Sequence, residues 1–471
     1  MTKSVLPAAF AAFSMLALVR CYGGSGTSTG GPAAGDSPDS GTTTSGLTFH
    51  KDVEPILQKN CQGCHVAGGI APMALLTYDD AKNYAPVIVT QTQARIMPPW
   101  GAQETTDCAP TRKWKDDLRL SDADLATLKA WNEGGRVEGD PKDAPTPLTP
   151  KAQGLTGVTH TLKPAAPYTM TSATNDEFRC FVLDPNITST TSYLNGSFFI
   201  AGNPQIVHHA LLFSDVAGES RGKVTDAATQ SYDCQGGAGI SKVGLLSAWA
   251  PGGVPSEYPP TIGAPVTKGT LLVLQIHYHP HVGGPLPADQ TTVQLRFTDT
   301  KPQYNVVSLL PGNYSKAPNL LPGPDDPASG PAFVIPANVS GHTETMNFPI
   351  PNVTVPIYVY GIGAHMHYVG VSETVKLKPA GQTTEECLLN VPRWDFSWQR
   401  SYAYDVDIPS LPILHTGDVL DIKCTYDNTM TNDKLAQSLH DRQMNAPIDV
   451  HLGETTLDEM CLAPVSLLYK N

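Results

Sequence analysis

From about residue 153 to the C-terminus, short runs of β-branched and aromatic residues alternate with clusters of Gly, Pro, Asn and Asp. This alternation favours strands joined by tight loops. The 41 Gly, 42 Pro and only 16% charged residues among 471 also disfavour a helical bundle. We therefore predict a mainly β protein. The formal net charge of −13, without a run of Lys or Arg, makes nucleic acid and anionic membranes poor candidate partners.

The first 21 residues have the features of an export signal. Lys3 precedes an apolar run that ends at Val19, which is too short to span a bilayer as a mature helix. Cys21 allows two outcomes, a lipid anchor or ordinary cleavage nearby, and Arg20 stands where a lipoprotein site has a small residue. We expect an exported bacterial protein, periplasmic or at the cell surface.

Changes in composition divide the chain into five predicted segments. A signal peptide is followed by a Gly/Ser/Thr-rich flexible linker, a small all-α domain and two β domains separated by Pro/Gly-rich breaks. Ser121 and Asp124 form a helix capping box in the small domain, apolar residues follow at helical spacing, and Gly134 ends that helix. A further helix is expected before Cys61. The segments are 1–21, 22–46, 47–143, 153–320 and 332–471.

One motif in the small domain predicts a covalently bound c-type haem. Two residues separate Cys61 from Cys64, and His65 follows directly. Two thiols on one turn add to the vinyl groups, and the adjacent imidazole ligates the iron. A redox dithiol or half a zinc site would not need a His at that position. Met73 and Met97 are candidates for the second axial ligand.

The segment around this motif resembles small class I cytochromes c of the kind fused to secreted bacterial oxidoreductases. The resemblance rests on FHKDVEPILQKNCQGCH, GGIAPMALLTYDDA and RIMPPW. It implies that Met97 is the axial ligand and that Met73 is an ordinary core residue. Prolines after Met97 stiffen its loop, and His/Met ligation favours electron transfer over oxygen chemistry at the haem.

Three segments of the predicted β region are rich in histidine. Because side chains alternate along a strand, residues two apart share a face and can bind one metal ion. One such pair is a weak signal, but three segments and a late Met in DEMC are harder to explain as solvated faces. The histidines are His208, His209, His277, His279, His365 and His367.

These motifs, in this order, resemble the copper type II ascorbate-dependent monooxygenases, which include dopamine β-monooxygenase and peptidylglycine α-hydroxylating monooxygenase. The resemblance covers roughly Thr169 to Tyr469. It implies two jelly-roll β-sandwich domains, each holding one copper ion. The implied ligands of the electron-transfer copper are His208, His209 and His277. Those of the catalytic, oxygen-activating copper are His365, His367 and Met460, whose soft thioether favours Cu(I).

The resemblance also implies a disulfide between Cys424 and Cys461, next to Met460. Cys180 and Cys234 are plausible as a second bridge, whereas Cys108 and Cys387 are left over and are either free or paired between domains. We interpret His279 as a solvated or supporting residue and expect Gln275 to support His277. Four more histidines match no ligand position and are interpreted as structural or surface residues: His160, His415, His440 and His451.

The combined motifs predict an exported dicopper monooxygenase that hydroxylates a C–H bond of a small organic substrate with O2. Electrons would pass through the fused haem to the copper bound by His208, His209 and His277, or would come from ascorbate or another donor. The alternatives are a haem/copper electron carrier or copper-handling protein, and a surface-binding module. The carboxylate clamp of the peptide-amidating members is replaced by Gly363, Leu462 and Pro464, which predicts a neutral substrate.

Overall fold

The computed structural model describes residues 46–67, 71–147, 154–173, 175–250, 253–279 and 285–471. It confirms the mainly β prediction, with 33% strand and 15% helix. The predicted signal peptide, Cys21 and nearly all of the predicted linker lie outside the described residues. Residues 148–153, at the predicted boundary before the first β region, also lie outside them. In the described ranges, no helix has the length and apolar character needed to cross a membrane.

The helices and strands are as follows. The helices are α1 Glu54–Asn60, α2 Tyr78–Gln93, α3 Asp122–Glu133 and α4 Asp433–Asp441. The strands of the first β region are β1 His160–Leu162, β2 Tyr168–Thr169, β3 Glu177–Leu183, β4 Thr191–Ile200, β5 Val207–Asp215, β6 Ser231–Asp233, β7 Val243–Trp249, β8 Ser256–Glu257, β9 Ile262–Thr267, β10 Leu271–Tyr278, β11 Ala288–Asp289, β12 Thr292–Thr298 and β13 Tyr304–Leu309. Those of the second are β14 Val334–Ile335, β15 Ser340–Pro349, β16 Ile357–Gly363, β17 Gly370–Lys378, β18 Glu386–Val391, β19 Ser401–Ala403, β20 Ile413–Leu414, β21 Val419–Asp427, β22 Val450–His451 and β23 Val465–Lys470.

Three helices build the N-terminal segment around a core of their own. The predicted capping box is present, because the Ser121 hydroxyl accepts from the Asp124 N–H and the Asp124 carboxylate accepts from the Ser121 N–H. Helix α3 then buries Leu125, Leu128 and Trp131 against α2 and the turn at Phe49. Helix α1 ends at Asn60, as the motif at Cys61 requires, so that the cysteines follow on an irregular turn.

The first β region brings its two His-bearing strands side by side. Strands β5 and β10 are antiparallel neighbours in the order β13-β7-β5-β10-β3. Their register places His209 directly opposite His277. Every residue of β10 is buried, which explains why its sequence is almost continuously apolar.

The second β region contains a four-stranded sheet in the order β15-β21-β17-β18. Another strand pair of this region, β16 and β23, joins the first region because β23 also pairs with β13. One continuous apolar core therefore spans both regions. The strand predicted around the third His segment is shorter than expected: β16 ends at Gly363, and His365 makes only an isolated bridge with Leu462.

The helical segment is fastened to the second β region by several contacts. Cys108 and Cys387, which sequence reasoning left open, form a disulfide. Trp114 stacks on Tyr404 with ring centroids 4.9 Å apart. Arg112 pairs with Glu386 and also donates to the carbonyl of Ser410 at 2.7 Å. These contacts hold the helical segment, which carries the predicted haem motif, against the second β region.

Candidate metal centre

The imidazoles of His208, His209 and His277 converge on one point. Nδ1 of His208 lies 3.1 Å from Nδ1 of His209 and 3.2 Å from Nδ1 of His277. The three residues form one of the groups in the described structure whose ligand atoms all lie within 4.8 Å of one another. Three ring nitrogens that face each other at this distance could hold one shared cation.

Asp176 orients His277 from behind. Its Oδ1 accepts from Nε2 of His277 at 2.9 Å, which leaves the lone pair of Nδ1 directed at the three-His group. Thr456 donates its backbone N–H to the other carboxylate oxygen at 3.2 Å. Burial opposes ionisation, but hydrogen bonds from His277 and His279 hold the pKa of Asp176 well below its usual range. The negative charge therefore persists where a metal-bound imidazole needs an acceptor.

His279 lies beside this group rather than in it. Its Nε2 is 3.0 Å from the hydroxyl of Tyr368, and its ring stacks on His208 with centroids 5.0 Å apart. Nδ1 of His279 is 3.6 Å from Asp176, so these two and His277 form an overlapping candidate group. Gln275 does not contact His277 as expected, because its amide donates to the carbonyl of Cys234.

Burial keeps these imidazoles neutral, which is the form that binds a metal. Desolvation, followed by the charges of neighbouring histidines, places the pKa values of His208 and His209 well below the usual value. In the second set, burial lowers the pKa of His365 to about 4 and that of His367 to about 3. At neutral pH the imidazoles of both sets are therefore uncharged and able to bind a metal ion.

His365 and His367 each have one ring nitrogen tied to the protein. Nδ1 of His365 is 2.6 Å from Oε1 of Gln399, and Nδ1 of His367 is 2.9 Å from the carbonyl of Asp458. Each imidazole therefore donates through Nδ1 and keeps Nε2 as the available lone pair. The two ring centroids are 5.3 Å apart.

A buried carboxyl group links this pair to Met460. Oε2 of Glu459 accepts from the backbone N–H of His367 at 2.8 Å and from that of Met460 at 2.9 Å. The chain around Met460 is also held by the disulfide between Cys424 and Cys461, which the structure contains. The structure therefore brings the backbones of all three predicted oxygen-site ligands together.

Two carboxyl groups are completely buried beneath this set. Burial raises the pKa of Glu459 to about 8 and that of Glu373 well above its usual value. Oε2 of Glu373 accepts from the backbone N–H of His365 at 3.0 Å. Both side chains therefore fix the backbone that presents the ligands. Neither role could be read from the sequence, because Glu373 lies in an ordinary strand pattern and Glu459 is marked only as part of the DEMC motif that carries Met460.

The two histidine sets are neighbours. The rings of His209 and His365 lie 6.2 Å apart between centroids. Gln399 contacts both sets, because its amide nitrogen lies 3.4 Å from Nε2 of His208 while its oxygen contacts His365. The resemblance implied two sites in separate domains, and the structure places their ligands against one another.

The two cysteines and the histidine of the predicted haem motif lie on one backbone turn. The backbone N–H groups of Cys64 and His65 both donate to the carbonyl of Cys61, which puts the two thiols on one turn. Nδ1 of His65 is 3.1 Å from the carbonyl of Met73, so Nε2 is the nitrogen left for iron. Cys61 and Cys64 are the free cysteines in the described ranges, where the other cysteines form disulfides. These residues fit a thioether-linked haem.

Met97 lies at the junction with the second β region. It lines a cavity of about 320 Å³ that His367 also lines. The guanidinium of Arg393 donates hydrogen bonds to the carbonyls of Ala94 and Arg95, which links the two regions beside this cavity. The loop that carries the predicted haem ligand is thus a wall of the space next to the predicted oxygen site. Met73 instead contributes the carbonyl that holds His65.

We predict that Asp176→Ala weakens copper binding at the three-His group by about 10- to 100-fold, because the imidazole of His277 loses the acceptor that orients it. The measurement is a copper titration against a competing chelator. Asp184→Ala is the matched control, since Asp184 is an exposed partner of Arg221. Equal copper affinity in both variants would contradict the role given to Asp176.

Comparisons with known proteins add no functional information. No protein-family model matches the chain, and no curated protein matches it. Among solved structures, the major capsid protein P2 from bacteriophage PM2 aligns with 66% of this chain and 97% of its own, at 10% identity and a TM-score of 0.27. The infectious bursal disease virus VP2 subviral particle aligns with 70% of this chain and 75% of its own, at 10% identity and a TM-score of 0.17. Likenesses this weak carry no argument.

Proposed function

We propose that the chain is an exported dicopper monooxygenase with a fused c-type haem domain. It hydroxylates a C–H bond of a small organic substrate, using one O2, two electrons and two protons and releasing one water. The observation that carries this proposal is the arrangement of His365 and His367. Each presents a free Nε2 beside the chain that carries Met460, and the three-His group lies alongside.

Bound copper would supply oxygen activation and one-electron storage, and bound haem would supply electron transfer. The chain's own residues do the remaining work. Gln399 and the carbonyl of Asp458 set the ring orientations of His365 and His367. Glu459 holds the backbone of His367 and Met460 in register. Burial of His367, only 1% exposed, keeps bulk water away from the reacting centre.

We propose that the helical segment is the electron donor. Its Met97 lies on the same cavity as His367, and the disulfide between Cys108 and Cys387 keeps the two regions joined. A donor held this way acts at a high effective concentration. The sequence predicted entry at the three-His copper, but the shared cavity favours direct approach to the oxygen-site region as well.

The finer fold and the location are part of the same proposal. The sheets of the two β regions support an assignment as jelly-roll sandwiches, each contributing one histidine set. The three disulfides support an oxidising compartment outside the cytoplasm. We retain both outcomes for Cys21, an anchored or a released protein.

The test is metal analysis combined with oxygen uptake on the purified full chain. We expect one haem and two coppers, with oxygen uptake that depends on an organic substrate and yields a hydroxylated product. Haem and copper without uptake across a broad substrate panel would favour the electron carrier. Absence of copper binding would reject both.

A further inference from the structure

The cavity at the junction between the helical segment and the second β region has the character of an organic ligand site. Its volume of about 320 Å³ lies within the usual range of small-molecule pockets. Six aromatic side chains contribute to its walls: Trp100, Tyr368, Trp394, Phe396, Trp398 and Tyr402. One wall contains His367, so a molecule in the cavity would lie next to the proposed oxygen site.

The charged side chains that line this cavity differ in the partners they have. Lys434 is 3.7 Å from Asp395, and Arg393 donates to backbone carbonyls. Arg400 has no such partner: among the described residues, no carboxylate oxygen lies within 4.0 Å of its guanidinium. Asp116, Asp117, Tyr402 and the haem-motif thiol of Cys64 act on Arg400 only through longer-range charge. Among the described residues, Arg393 and Arg400 therefore both lack a carboxylate partner, and only Arg400 also lacks a hydrogen-bond acceptor for its guanidinium.

A second unpaired donor lies beside Arg400. The guanidinium carbon of Arg400 lies 4.6 Å from the ring centroid of Trp100. The indole Nε1 of Trp100 is buried and has no hydrogen-bond acceptor in the described structure, although Trp100 is only 6% exposed. A buried N–H without an acceptor is costly. One carboxylate has enough lone pairs to accept from both Arg400 and Trp100.

We propose that this cavity binds a small aromatic carboxylate, with its carboxylate between Arg400 and the Trp100 indole N–H and its apolar body pointing toward His367. The inference rests on the proposed function, for which it names the substrate class. It replaces the neutral substrate expected from Gly363, Leu462 and Pro464, because the cation comes from a different part of the chain. Trp100 belongs to the helical segment, so the pocket is complete only when that segment is docked.

The probes are phenylacetate and its neutral analogue phenylacetamide, which share a ring and a benzylic carbon. Binding to the full-length protein is measured by calorimetry and by quenching of tryptophan fluorescence. We expect phenylacetate to bind at least about tenfold more tightly, the scale of a hydrogen bond to a charged group. Arg400→Gln should remove this preference while changing phenylacetamide affinity little. Arg400→Lys should keep part of it, since a point charge replaces the guanidinium fork.

Two further variants keep the test sharp. Trp100→Phe keeps the ring but removes the N–H, and it should weaken phenylacetate binding by about fivefold with little change for phenylacetamide. Arg112→Gln is the control, because Arg112 lies at the same junction, pairs with Glu386 and does not line the cavity. We expect it to bind both probes as the parent protein does.

The outcomes separate this inference from the proposed function. No preference for phenylacetate, or a preference that persists in Arg400→Gln, overturns the inference even if oxygen uptake is observed with neutral substrates. A shift in the haem midpoint potential in Arg400→Gln with unchanged phenylacetate affinity also overturns it, because Arg400 then acts on the haem. Arg400-dependent binding without copper or oxygen uptake supports the site and rejects the monooxygenase.

Discussion

Met460→Ile should reduce substrate-dependent oxygen uptake by at least about a hundredfold. Replacing a residue that only supports a metal ligand costs up to about a hundredfold, and loss of a predicted ligand should cost at least as much. Ile has a similar volume and is apolar, so the fold should tolerate it at a cost below about 1.5 kcal/mol. What it removes is the soft thioether that favours Cu(I). The measurements are oxygen uptake, copper content and the haem spectrum. The three-His copper and the haem should be unchanged.

Met430→Ile is the matched control for this variant. Met430 is 47% exposed and lies outside both histidine sets, so its replacement should leave oxygen uptake unaltered. Full activity in Met460→Ile would mean that the oxygen site is assigned to the wrong residues. Loss of haem together with activity would instead point to a general folding defect.

Replacing both Cys61 and Cys64 by Ser should abolish covalent haem attachment, because no thiol remains to add to the vinyl groups. Burial raises the pKa of Cys61 to about 12, so in the absence of haem this thiol is protonated at neutral pH. We expect no haem absorbance after denaturation and gel separation. Oxygen uptake driven by a haem-reducing donor should disappear, whereas uptake driven by ascorbate should persist.

The double variant Cys108→Ala/Cys387→Ala is its control. It also removes two sulfur atoms, but from a disulfide rather than from the motif, and should keep the haem fully attached. If the variant that lacks Cys61 and Cys64 takes up oxygen as fast as the parent protein with every electron donor, the haem does not pass electrons to the copper centre. Haem that remains covalently bound would reject the attachment motif itself.

Local patterns in the sequence predicted the local structure well. The capping box at Ser121, the helix before Cys61 and the strands that carry His209 and His277 are all present. These elements depend on propensity and periodicity, which are written in adjacent residues. The strand predicted through His365 is longer than the observed one, because the apolar and aromatic pattern that begins at Ile357 continues in the sequence beyond Gly363, where the chain leaves the sheet.

Residues that support the site from distant parts of the chain could not be found in this way. Asp176 contacts His277 from 101 positions away, and Gln399 contacts His208 from 191 positions away. Asp and Gln are common surface residues, and nothing beside them marks a metal site. The bond between Cys108 and Cys387 spans 279 positions, and spacing alone offered no preferred partner for either.

The sequence by itself therefore determined the class of structure, the haem motif and the set of imidazoles available to a metal, because residue type and spacing carry that information. Only the tertiary structure decided which imidazoles face one another, which nitrogen of each ring remains available and that both histidine sets are neighbours. It alone also placed Trp100 and Arg400 around one cavity, since Trp100 packs into the core of the β regions, far along the chain from its own position. Packing and hydrogen bonding between distant segments, rather than local propensity, set those positions.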